Sequence, residues 1–378
     1  MPDLQDGLSI AYLADPNSIH TRRWVGWFAV AGHRVTLLVP DDGPVDPGLP
    51  TGIDVERFVP YTRRRNQVLG ALEARRSIGG ILRRVRPDVL HAHYLTGHGW
   101  HARMSGFHPF AVTLWGSDIL DHARHSKRGG IYARITLGAA DLVTGDSQAL
   151  VDAAVAFGAH PDRTHLVQFG VDTRTFSPAP EAGALRDRLG LGGRRVLFSA
   201  RSIKPLYRQL VVLEALARLP ADVALVMTRH WAQGAELAAV ERRIADLDLG
   251  SRVVIVPTID HGEMVEFYRM SEAVVSIPAS DGTPVTLLEA MACGRPTVAS
   301  DLPSVREWLG DFDPGVLVPV DDVAGTARAI EDVLSRSPER KSELADRGRQ
   351  IVIDRAGQDV NMTLMEGLYR EVVARRRR

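Results

Sequence analysis

Cysteine appears once in 378 residues, at Cys293. A lone thiol closes no intramolecular disulfide and builds no multi-cysteine zinc site, so a reducing cytoplasm is the expected setting. Lysine is nearly as scarce, at Lys127, Lys204 and Lys341. None of the three sits in a pyridoxal-binding context, which argues against a phosphorylase. No apolar run approaches the roughly 18 residues a membrane span needs. The start, MPDLQDG, is acidic, and the apolar run 8–14 is too short for the core of a secretory signal. Net charge is also missing: 46 Lys plus Arg balance 46 Asp plus Glu. A neutral chain is not a dedicated nucleic-acid binder. No Gly-x-Gly-x-x-Gly follows the first apolar run, which disfavours a dehydrogenase.

What remains is the composition of a soluble globular protein, 45% apolar and 24% charged, long enough for two domains. Arginine clusters locally, and its terminal run 375–378 reads as a solvated tail, with acidic lipid as the alternative contact. Short apolar runs alternate with amphipathic segments throughout. Strands are expected at 8–13, 34–39, 89–93, 110–114, 142–144 and 165–169, then at 196–200, 223–227, 253–256, 273–277, 297–299 and 316–318. Helices are expected at 20–31, 67–85, 130–137 and 148–157, then at 206–219, 236–246, 263–270, 284–293 and 323–334. Such alternation implies an α/β protein with parallel sheets covered on both faces. The Pro- and Gly-bearing stretch 170–193 separates two complete β/α runs. Two Rossmann-like domains facing each other across a cleft are therefore expected, spanning 1–170 and 171–354. A last helix within 355–378 carries Val360, Leu364, Leu368 and Val372 at helical spacing.

The most informative segment is 276–300, SIPASDGTPVTLLEAMACGRPTVAS. It reads as strand, acidic turn and helix, with Pro284 as first helical residue and Gly294 as stop. The N–H groups of Val285, Thr286 and Leu287 would then point into the turn Gly282–Thr283 with the positive end of the helix dipole. That is a phosphate cradle. Asp281 precedes the helix and Glu289 follows eight residues later. The bland alternative is a cap and a solvent-facing Glu.

The wording SDGTPVTLLEAMACGRPTVAS resembles the donor segment of family 4 retaining glycosyltransferases of the GT-B fold. That pattern pairs two Glu eight residues apart ahead of Ala-Met-Ala and Gly-x-Pro; here Asp281 takes the first place. The resemblance implies that Glu289 binds ribose hydroxyls and Asp281 the hydroxyls of the transferred sugar. Asp is one methylene shorter than Glu, which changes the reach at that place. GVDTRTFSP resembles the family's interdomain wording, with Phe169 in place of Asn. The resemblance also implies that the last helix crosses back to the first domain.

Polar residues just after strands are the further candidates. Arg201 and Lys204 in VLFSARSIKPLY suit a diphosphate, and the family carries an Arg and a later Lys here. His93 in VLHAHYLTGHGWHA resembles the histidine that faces the transferred sugar, with Gly97 and Gly99 admitting backbone close to ligand. His-x-His also fits metal, but no acidic or Cys partner stands nearby. Trp115 and Asp118 in VTLWGSDIL, and His20 in ADPNSIHTRRW, are assigned to the acceptor side. Trp115 replaces a family His, and Asp118 alternatively caps a helix. Ser18 or Thr21 caps the helix after the first strand, and Asp146-Ser147 caps another. Arg22, Arg229 and His230 remain peripheral candidates.

The expected function is retaining, metal-independent transfer of a sugar from a nucleoside diphosphate to an acceptor nucleophile: a saccharide, a small natural product or a lipid. No cofactor is expected. The lack of a strong amphipathic basic helix leans away from lipid, leaving peripheral membrane contact as a weaker reading. The rivals are a non-catalytic partner subunit, favoured by Asp281 and a missing Gly pair, and a sugar-nucleotide epimerase.

Overall fold

Seven parallel strands form the first sheet and six the second. The computed structural model describes residues 7–45, 47–63, 65–179, 183–229, 232, 234–310 and 315–377. His230, Arg378 and residues 180–182 of the expected linker lie outside the described residues. The chain divides into two compact units, Met1–Phe169 with Asn361–Arg378, and Gly170–Val360.

The first unit contains β1 (Ser9–Leu13), β2 (Arg34–Pro40), β3 (Ile53–Phe58), β4 (Val89–His93), β5 (Phe110–Leu114), β6 (Leu142–Gly145) and β7 (Thr164–Leu166). Their order is β3-β2-β1-β4-β5-β6-β7. Every residue of β1, β4, β5 and β6 is buried, as expected for strands covered on both faces. β3 was not expected. Its IDVERF alternates charge with apolar side chains, which suits an edge strand and hides it from an apolar-run search. β7 ends at Leu166, short of the expected 169: its last register partner is Gly145, where β6 itself ends, and Val167 N–H makes the final bond to the Gly145 carbonyl (3.0 Å).

The second unit contains β8 (Arg195–Ser199), β9 (Val223–Thr228), β10 (Val253–Val256), β11 (Ala273–Ser276), β12 (Thr297–Ser300) and β13 (Gly315–Val318), in the order β10-β9-β8-β11-β12-β13. Both sheets thus run outward from a central pair, in the doubly wound manner. Ligands collect in the crevice where the order reverses, outside the strands' carboxyl ends. That crevice lies between β1 and β4 in one unit and between β8 and β11 in the other. The two ends of the second unit are tied together at Val171, whose N–H donates to Ala356 O (2.7 Å) and whose carbonyl accepts from Gln358 N–H (3.0 Å). Gly170 makes this approach possible: at φ +83, a Cβ there would stand 2.5 Å from the Gln358 Cα.

The expected helices all form, with ends shifted by a few residues. Trp100–Ser105, Ala123–His125, Gly183–Arg188 (within the expected linker), Pro303–Leu309 and Pro338–Ile351 are additional. The first four are short, and the last is strongly polar, so neither apolar periodicity nor length announces them. The final helix, Gln358–Arg377, turns a different face inward from the one expected. Leu368 and Val372 are buried, but Val360 and Leu364 are exposed, and Met362, Met365, Tyr369 and Val373 complete the seam. Tyr369 sets this rotation. Its hydroxyl pairs with that of Tyr12 (3.1 Å) and with His91 Nδ1. His91 Nε2 meets Thr113 Oγ1 (2.7 Å), which meets Thr144 Oγ1 (2.6 Å). A buried hydroxyl requires such a partner, so the polar chain fixes the helix face as firmly as its apolar contacts do.

Burial pushes the His91 imidazole down to about 3. Burial, with a smaller push from His98, takes His101 down to about 4. Both are neutral in the folded chain and protonate near the ordinary value of 6.5 when unfolded. Below that value the unfolded chain binds more protons, so stability falls as pH falls. We expect a loss of about 1.4 kcal/mol per histidine for each pH unit between about 6.5 and about 4.5. Denaturant melts across that range should show it, and His101→Gln should remove one increment of the slope. A pH-independent melt would contradict neutral, buried histidines.

Candidate functional site

The loops leaving β8 and β11 carry the candidates of the second unit. Arg201 stands two residues beyond β8, and the buried Gln209 fixes its turn. Gln209 Oε1 accepts from Ser199 Oγ (3.0 Å), while its Nε2 donates to the Arg201 carbonyl (2.9 Å). The guanidinium donates to Asp281 Oδ2 (2.8 Å) and Thr286 Oγ1 (3.3 Å) and lies 4.3 Å from the Tyr207 ring centroid. The two charged side chains are only 11% and 14% exposed. Burial pushes the Asp281 carboxyl up, while Arg201 and the Gly282 N–H pull it back. Ala279 N–H donates to Leu206 O (2.8 Å), joining the two loops through their main chains. Among the described residues Arg201 Nε is a buried donor without an acceptor. Lys204 sits half-buried in the same loop and opens the turn Pro205–Tyr207.

The following helix is Val285–Ala292, and Pro284 precedes it rather than opening it. This changes the expected cradle. Val285 N–H already donates to Thr283 O (2.9 Å) and Leu287 N–H to Pro284 O (2.8 Å). Of the three amides expected to be open, Thr286 alone lacks a backbone acceptor among the described residues. The tight turns around Pro284 consume the other two. The far end behaves as expected: Gly294 turns at φ +70, and Arg349 Nη1 caps the Ala292 carbonyl at 2.7 Å.

Glu289 is buried on this helix instead of facing solvent. Tyr268 donates its hydroxyl to Oε2 (2.9 Å), and His261 Nε2 meets Oε1 (3.0 Å). Burial, reinforced by Glu289, raises the Tyr268 hydroxyl well above its ordinary value, so it stays a donor. Sequence reasoning missed both partners. His261 had a usable signal, since it opens the helix His261–Met270 shortly after β10. Arg229 is exposed at the end of β9.

In the first unit, His93 is 1% exposed, and neither ring nitrogen has a partner among the described residues. Aromatic rings enclose it, with centroids at 4.8 Å for His91, 5.0 Å for Trp24, 5.5 Å for Tyr12 and 5.7 Å for Trp115. Burial and the neighbouring histidines hold it well below its ordinary value, hence neutral. An imidazole with two unmet nitrogens is costly to bury. Trp115 Nε1 is likewise buried and unmet among the described residues. His20 stacks on Phe169 at 4.6 Å and meets Trp115 edge-on at 5.8 Å. Phe169, the departure from Asn, thus fills the ring cluster. Tyr94 follows β4 in the left-handed region at φ 77, a strained setting often kept at functional turns. A Cβ on Gly97 would meet nothing, whereas one on Gly99 would touch Thr136 at 3.4 Å, so only Gly97 leaves open space.

Asp118, assigned to the acceptor side, faces inward. It is fully buried and accepts N–H bonds from Leu95 (2.8 Å), Trp115 (3.1 Å) and Ile119 (3.0 Å). It staples the loops after β4 and β5, and burial pushes its carboxyl up against the pull of those amides. The expected caps at Ser18 and Ser147 do not form: neither side chain bonds its helix. Among the described residues no group of three or more His, Cys, Asp or Glu is placed to hold a metal ion, and no helix is long and apolar enough to cross a membrane. Asp118→Ala strips three buried amides of their acceptor and should destabilise the chain by about 2–4 kcal/mol in denaturant melts. A change below about 0.5 kcal/mol would deny it the stapling role.

Residues 9–147 match the family described as Glycosyl transferase 4-like, and residues 183–351 match Glycosyl transferases group 1. The D-inositol 3-phosphate glycosyltransferase of Xylanimonas cellulosilytica is 30% identical over 309 residues, 76% of this chain and 73% of that protein. The enzyme of that name from Mycobacterium sp. (strain JLS) is 30% identical over 266 residues, 66% of this chain; the match spans 60% of the mycobacterial protein. The crystal structure of Anabaena HepE in complex with UDP and glucose superposes with a TM-score of 0.81 at 18% identity, covering 95% of this chain and 98% of that one. With two matched family segments and the doubly wound sheets of the GT-B fold, the chain belongs to the group 1, family 4-like glycosyltransferases.

Proposed function

We propose that the protein is a retaining glycosyltransferase that moves a sugar from a nucleoside diphosphate to an acceptor nucleophile without a metal ion. The observation that carries this reading is the cluster at the β8/β11 crevice. There a nearly buried Arg201–Asp281 pair lies beside Thr286, on the same short helix as Glu289. A diphosphate competes with Asp281 for the guanidinium and draws also on Lys204, the Thr286 N–H and the helix dipole. Releasing Arg201 leaves Asp281 to the hydroxyls of the transferred sugar. Tyr268 and His261 hold the buried Glu289 carboxylate in a fixed orientation, and a carboxylate is the acceptor that a ribose diol seeks.

The acceptor attacks the face that the diphosphate leaves. The C–O bond to phosphate breaks with its electron pair on the departing phosphate, which takes the acceptor's proton. Arg201 and Lys204 offset the charge as it grows, the part a divalent cation plays elsewhere. In the first unit, the neutral His93 has one nitrogen to donate and one to accept, the equipment for holding a sugar hydroxyl. The names of the two relatives support sugar transfer, and the UDP of the HepE complex supports a nucleoside diphosphate.

A thermal-denaturation series with nucleoside diphosphates and their sugars tests the donor. The right one at 100 times its dissociation constant should add about 2.7 kcal/mol. Glu289→Gln should lose most of that increment relative to its own ligand-free melt; full retention would take Glu289 out of the site. Once turnover is found, NMR of the product should show the donor's anomeric configuration, and a chelator should leave the rate unchanged. An inverted product, or a rate restored only by a divalent ion, would overturn the mechanism.

A further inference from the structure

A groove of about 520 Å³ lies on the first unit, in walls formed by the helices Gln67–Val85, Trp100–Ser105 and Lys127–Ala139. Its lining is apolar and aromatic, including Leu72, Trp100, Met104, Tyr132 and Ile135. Trp100 and Tyr132 stack at 4.2 Å to form one wall. Around it the first helix shows solvent an unusual amount of hydrocarbon: Val68 is 70% exposed, Leu69 53% and Leu72 45%. Ile131 and Ile135 on the third helix are exposed as well. Scattered apolar residues on a surface need no explanation, but five gathered on two adjoining helices beside an apolar groove do.

Charge is equally one-sided. The walling segments 65–76, 100–106 and 123–135 hold eight Arg and Lys against Glu73 alone, in a chain that is neutral as a whole. Arg75 and Arg103 line the groove itself, and no carboxylate does. Arg103 Nε is moreover a buried donor with no acceptor among the described residues. A hydrocarbon trough set in cations, with an unmet guanidinium donor buried in its wall, complements an amphiphile that carries a negative head.

We propose that this face binds an anionic lipid surface, with Val68, Leu69, Leu72, Ile131 and Ile135 entering the hydrocarbon boundary and Arg75 and Arg103 engaging lipid phosphate. It runs against the lean away from lipid drawn from the lack of a strong amphipathic basic helix, because folding collects cations that the sequence spreads over three separate segments. Nothing in the proposal depends on the glycosyl-transfer reading, and its test uses no donor and no turnover.

The test is co-sedimentation of the full chain with vesicles of phosphatidylcholine alone and of phosphatidylcholine mixed with phosphatidylglycerol. The protein should partition onto the mixed vesicles and be released by raising salt. Arg75→Gln and Arg103→Gln should each lower the partition coefficient about fivefold. Leu72→Glu with Ile135→Glu should lower it more than tenfold, with the melting temperature of each variant checked against the parent. Equal binding to both vesicle types, insensitivity to salt, or variants that bind like the parent would overturn the proposal. So would self-association in sedimentation velocity that Leu72→Glu abolishes without vesicle binding in the parent, which would make the face a contact between copies.

Discussion

The second unit's site rests on one guanidinium. Arg201 holds Asp281, Thr286 and the Tyr207 ring at once, and so fixes the distance between the loops that follow β8 and β11. A charged pair this far from water is not a strong source of stability, since desolvating both ions cancels much of their attraction. What the pair does provide is a pre-oriented cation whose partner can be exchanged at low net cost. An anion that replaces Asp281 regains most of the Coulomb energy, and the displaced carboxylate becomes available in the same crevice. On the proposed reading, one pairing sets both the affinity for diphosphate and the moment at which an acid is released toward the sugar.

The two units present opposite states of satisfaction. In the second, the buried acids already have donors: Asp281 has Arg201, and Glu289 has Tyr268 and His261. In the first, the buried groups at the ends of β4 and β5 divide. His91 and Asp118 are fully bonded and hold the frame, whereas His93 and Trp115 keep unmet nitrogens among the described residues. Neighbours two residues apart on one strand thus have different work. The difference lies in what the chain brings to them: Tyr369 reaches His91 from the last helix, whereas the rings that enclose His93 give it no hydrogen bond among the described residues.

Much of this was legible in the sequence, for a physical reason. Strands buried on both faces are runs of apolar residues, so 89–93 and 110–114 could be delimited to the residue. The strand that escaped, β3, is an edge whose charges are part of its design. At the candidate site, residue types and spacing located Arg201, Asp281, Thr286 and Glu289. They did not show that the carbonyls of Thr283 and Pro284 would consume two of the three amides, because that depends on how the turn ahead of the helix is wound. Nor did they reveal His261 and Tyr268 behind Glu289, which are distant in sequence and adjacent only after β10 and β11 are placed around β8.

The groove on the first unit shows the same limit from the other side. The helix Gln67–Val85 has apolar residues on two flanks. Ala74, Ile78, Ile81 and Leu82 are buried, while Val68, Leu69 and Leu72 near its start are exposed. Periodicity reads both as one broad hydrophobic face, since it knows nothing of which neighbours arrive. The fold covers the later turns with the first sheet's core and leaves the opening turns beside Trp100 and Tyr132. An apolar helix start left open costs solubility, and nothing in the packing of this unit requires Leu rather than a polar residue at position 72. Arg75 one turn further on and Arg103 across the groove add charge where a simple folding face would have none. Hydrocarbon and cation kept together on an uncovered surface are better accounted for by what that surface meets than by the stability of the unit that carries it.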